Sequence, residues 1–70
     1  MNWLSLVETG VRTFGPIFVE VVGALLGGED PVAVMARKRV SEIVPDPLLS
    51  ELALQARLAA EAIKTQAGAT

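Results

Sequence analysis

Seventy residues with no cysteine and no histidine make one small domain, without disulfides and without the usual zinc sites. Apolar residues make up 51% of the chain and charged ones 20%, more hydrophobic surface than so short a monomer hides easily, so burial shared with neighbouring chains is the expected stabiliser. The formal charge of −2 argues against a general nucleic-acid binder, which is normally strongly basic.

The N-terminal stretch sets the expected architecture. Leu4, Val7, Val11, Phe14, Phe18, Val21 and Leu25 recur at alternating steps of three and four, an apolar heptad seam suited to packing against other helices. Asn2 is placed to cap the first turn with its side-chain oxygen. Gly15-Pro16 interrupts the pattern, because proline removes the hydrogen bond to the Arg12 carbonyl and crowds that turn. The heptad runs through this point in phase. That predicts one long helix over about residues 2–26, kinked at Gly15-Pro16. From Ile17 to Leu26 apolar side chains surround the axis, with Glu20 as the only charge, and such a helix is buried in protein or in lipid. A strand over residues 17–22 is the local alternative, but one strand has nothing in this chain to pair with.

Gly27-Gly28 supplies a helix stop, and Asp30-Pro31 the next start, with Asp30 as N-cap and Pro31 in the first turn. A helix over about residues 31–44 would gather Val32, Met35, Ala36, Val40 and Ile43 on its core face and point Val34 outward. Pro45-Asp46-Pro47 repeats the device. The last helix, over about residues 47–64, is rich in good helix formers. Leu48, Leu49, Leu52, Ala56, Ala59 and Ile63 form its core face, and Leu54 and Leu58 project opposite as candidate partner contacts. Residues 65–70 are small and polar and are expected to fray.

Chemistry has little to stand on. The chain lacks His, Cys and Tyr, has no Gly-Lys-Ser/Thr phosphate loop, and places no carboxylate pair across a cleft. An enzyme is therefore not expected, nor a cofactor or metal site. Arg37, Lys38 and Arg39 form the one basic run and are the candidates for phosphate contact. Three charges without interleaved aromatics more often make a solvated helix face. Glu20 is expected to pair with one of these three cations or to mark a wet strip of its helix. Trp3 is read as packing at a helix end, with an interfacial anchor as its functional alternative. No basic n-region or cleavage site of a secretory signal is seen.

The expected fold is all-α: a long Pro-kinked helix and two shorter amphipathic ones, in a small bundle or extended hairpin completed by neighbouring chains. The expected function is structural, an assembly subunit packing through its N-terminal helix into a homo-oligomer or larger complex. Its partner is another protein or itself, and its place the cytoplasm or a larger particle. Minor components of virus particles are one setting where such short chains occur. The alternative is a membrane-docked or membrane-active protein of phage lysis or anchor type, inserting residues 3–26. Glu8, Arg12 and Glu20 stand against it, as does the lack of basic flanks.

Overall fold

A computed structural model describes residues 2–68 and is all-helical among them. Four α-helices follow in order: α1 (Trp3–Phe14), α2 (Ile17–Leu26), α3 (Pro31–Arg37) and α4 (Asp46–Gly68), with a short 3-10 turn at Val40–Glu42 between the last two.

Asn2 caps α1, its Oδ1 accepting from the Leu4 N–H at 3.0 Å. The helix ends at Gly15, whose N–H donates to the Val11 carbonyl at 2.8 Å. Gly15 then takes φ +86° and ψ −170°, backbone geometry open to glycine alone. The single kinked helix expected over residues 2–26 is thus two helices. The ring of Phe18 lies against Gly10, which a continuous helix would hold about 12 Å further along its axis. Only a chain that folds back on itself brings the two together. Phe14 and Phe18 stack nearly parallel across the break, ring centroids 6.0 Å apart. The heptad stays in phase because these two rings share one apolar side. It does not require a straight axis.

Gly27 and Gly28 close α2. The Gly28 N–H donates to the Leu25 carbonyl and the Glu29 N–H to that of Ala24, while Gly28 adopts φ +90°. This pair of bonds around a left-handed glycine is a Schellman stop. Asp30 Oδ2 then accepts from the Ala33 N–H at 3.2 Å, with Pro31 opening α3 where its missing N–H is no loss.

The middle helix departs most from expectation. It ends at Arg37 rather than near residue 44, because Arg39 takes a left-handed conformation (φ +52°, ψ +45°) before the 3-10 turn. That residue rotates everything after it relative to the first turns. Val40 faces inward as expected, and so do Val34, expected outward, and Val44; Val34 and Val40 are fully buried. Val32 and Ile43, expected in the core, are 75% and 62% exposed.

α4 is the spine. Its 23 residues span about 35 Å at 1.5 Å each, nearly the full 38 Å length of the molecule. It touches α1, α2, α3 and the 3-10 turn, so the last helix, rather than the N-terminal stretch, is the element the others share. It begins at Asp46 and runs to Gly68, four residues past its expected end at 64. The rest of the tail expected to fray, residues 69–70, lies outside the described residues.

Leu52, Ala56, Ala59 and Ala60 of α4 close the core against Phe14, Ile17, Phe18, Val21, Val22 and Leu25. The alanines let backbones approach, and the rings and valines of the first two helices fill the space. Each large side chain so buried contributes about 1.5–3 kcal/mol. Among the described residues no polar or charged side chain is buried. No helix among them is long and apolar enough to cross a membrane.

Candidate interaction surface

The heptad seam divides at the fold-back. Phe14, Phe18, Val21 and Leu25 are buried in the chain's own core, Val7 and Val11 are half-buried, and Leu4 stays 47% exposed. What the seam still offers to another chain is therefore its first two turns. Trp3 is half-buried at the start of the same helix.

The basic run is largely occupied. Arg37 Nη2 lies 2.8 Å from Glu29 Oε1, and Lys38 Nζ lies 3.3 Å from Glu20 Oε1. The lone carboxylate of α2 thus faces a cation just past the end of α3. Both pairs are partly solvated, and such pairs stabilise weakly, by about 0.2–1 kcal/mol. Arg39 is exposed but held at a left-handed position beside the turn.

An open concavity lies elsewhere, where the start of α3 approaches the middle of α4. A groove of about 310 Å³ is lined by Asp30, Pro31, Val32, Ala53, Leu54 and Arg57. A second, of about 210 Å³, continues from it past Pro31 and Arg57 toward Glu61 and Lys64. Their linings set apolar Leu25, Pro31, Val32, Ala53 and Leu54 beside charged Asp30, Arg57 and Glu61. Leu54 is 56% exposed, and Leu58, one turn further along α4, is 46% exposed. Val32 joins Leu54 in this groove, and Val34 takes the inward place on α3. Sequence periodicity missed that contribution, since a helix continued to residue 44 would have turned Val32 inward. The Asp-Pro start was the available signal, as it seats Val32 in the first turn, where a side chain can overhang the next helix.

Among the described residues no three acidic side chains gather around a point that would hold a cation. The groove can bury apolar side chains of another molecule and orient them by its charged residues, and that is a binding chemistry. Comparison of the chain with protein-family models, with curated proteins and with solved structures finds no match.

Proposed function

We propose that the chain is a non-enzymatic structural subunit that packs into a homo-oligomer or a larger complex. Its contacts are apolar residues that its own core leaves outward. Val32, Leu54 and Leu58 form the principal patch, and Leu4, beside half-buried Val7 and Val11 at the start of α1, marks a second. The observation that carries this reading is the shared groove of Val32 and Leu54. Two large aliphatic side chains stand more than half exposed beside one another. Contiguous apolar surface of this kind, beside charged residues, is characteristic of sites that another protein covers. The alternative of membrane insertion by residues 3–26 loses its main support. Of the apolar run from Ile17 to Leu26 that recommended it, Ile17, Phe18, Val21, Val22 and Leu25 lie within the chain's own core, while Val19 and Leu26 stay exposed.

The test is apparent mass in a gentle, detergent-free extract of cells that make the chain. Wild type should migrate well above the 7.4 kDa of one chain. The double substitution Leu54→Asp, Leu58→Asp should bring it down to a single chain with its helical circular dichroism intact. Wild type migrating as one chain would overturn the reading.

A further inference from the structure

The outer face of α4 carries a charge pattern with a specific symmetry. Glu51, Leu54, Arg57, Leu58 and Glu61 follow one another at helical spacing and all are exposed. Glu51 lies three residues before Leu54 and Arg57 three residues after it. Neither is engaged by an opposite charge: the ion pairs among the described residues are Arg37–Glu29 and Lys38–Glu20. Glu51 accepts only from the neutral Gln55 amide, at 3.4 Å.

We propose that this face binds the same face of a second copy, the two α4 helices antiparallel and crossing at Leu54. The inference rests on the assembly reading above and names its partner. A two-fold axis makes a self-complementary interface, in which each contact occurs twice. With the axis through Leu54, the two Leu54 side chains meet, and Glu51 of each copy faces Arg57 of the other. Val32, in the groove beside Leu54, widens the apolar centre on both sides, and exposed Leu58 lies one turn further along α4.

Competing registers lack this match. A parallel, in-register pair sets Glu51 against Glu51, Arg57 against Arg57 and Glu61 against Glu61. An antiparallel pair shifted so that Leu54 meets Leu58 sets Glu51 against Glu61 on both sides of the axis. Like charges directly opposed suppress an association that the apolar residues alone would permit. The Leu54-centred crossing is the arrangement that joins aliphatic contact at its centre to unlike charges on its flanks.

Sedimentation equilibrium of the purified chain at low salt, over a wide range of concentrations, tests this. Wild type should reach twice the 7.4 kDa chain mass. Glu51→Lys and Arg57→Glu each turn two attractive pairs into two repulsive ones, and each should raise the dimer dissociation constant roughly thirtyfold. The combination of both substitutions swaps the charges and restores the pairs, so its constant should return to within roughly threefold of wild type. Both positions are exposed, and circular dichroism checks that each variant keeps its helices. Single reversals that leave the dimer unchanged, or a double variant no tighter than the singles, would overturn the proposed crossing. A purified wild type that stays monomeric, while the same chain runs as an assembly in the cell extract, would also overturn it. That result would assign the patch to a different protein and leave the assembly reading standing. A single chain in both experiments would reject both.

Discussion

Phe18 lies face-on to the backbone of Gly10, so close that a Cβ on Gly10 would overlap the ring. Phe18 is fully buried. Gly10→Ala should therefore lower stability by about 1–3 kcal/mol through overpacking, partly offset by alanine's better helix propensity. Gly23→Ala is the counterpart. It lies inside α2 with open space around it, and there the same change should raise stability by about 0.5–1 kcal/mol. Thermal melts of the two variants, followed by circular dichroism, should move in opposite directions.

A second contrast separates two valines of α3. Val34 is fully buried and Val32 is 75% exposed. Val34→Ala should cost about 2 kcal/mol through lost burial and a residual cavity. Val32→Ala should leave the stability of the single chain within about 0.5 kcal/mol of wild type. Urea titrations, read at the midpoint with unchanged slope, measure both. A helix running unbroken to residue 44 would reverse the order.

Gly15 tests the fold-back itself. Nothing crowds the position a Cβ would occupy there, so any effect of substitution comes from the backbone. Gly15→Ala should cost about 1–3 kcal/mol, because alanine at φ +86° and ψ −170° is strained. A melt as stable as wild type would show that the turn is not held in this geometry.

The Glu20–Lys38 pair, at 3.3 Å with the carboxylate side chain 58% exposed, should matter little. Lys38→Ala is expected to lower stability by no more than about 1 kcal/mol. Raising the salt concentration should shrink the difference from wild type. A double-mutant cycle with Glu20→Gln isolates the pair.

The capping chemistry was readable from single residues because its causes are local. Asn2, Asp30 with Pro31, and Gly27-Gly28 each satisfy or terminate a helix end within a few residues, and each acts where it was placed. The inward face of α4 was readable for a related reason. Its 3.6-residue period runs undisturbed from Leu52 through Ala56 to Ala59. Periodicity reports which side chains share an apolar environment but is blind to a fold in the axis, which is why one seam covered two helices. Gly10 was the overlooked sign, since a glycine inside a helix often marks a close approach. Arg39 carried no sign at all. A left-handed arginine contradicts local preference, and the inward turn of Val44 that follows depends on contacts far along the chain. The Val32–Leu54 groove was hidden with it, because the expected core face turned Val32 inward.

An interior of purely aliphatic and aromatic side chains has a thermodynamic consequence. With no ionisable or hydrogen-bonding side chain enclosed among the described residues, packing of the core is governed by the aversion of hydrocarbon to water. That force weakens as water is cooled, and excluded solutes such as sulfate and sucrose strengthen it. The fold should therefore be most secure at moderate temperature and tighten in sulfate. It should loosen toward freezing, a profile that belongs to the solvent as much as to the chain.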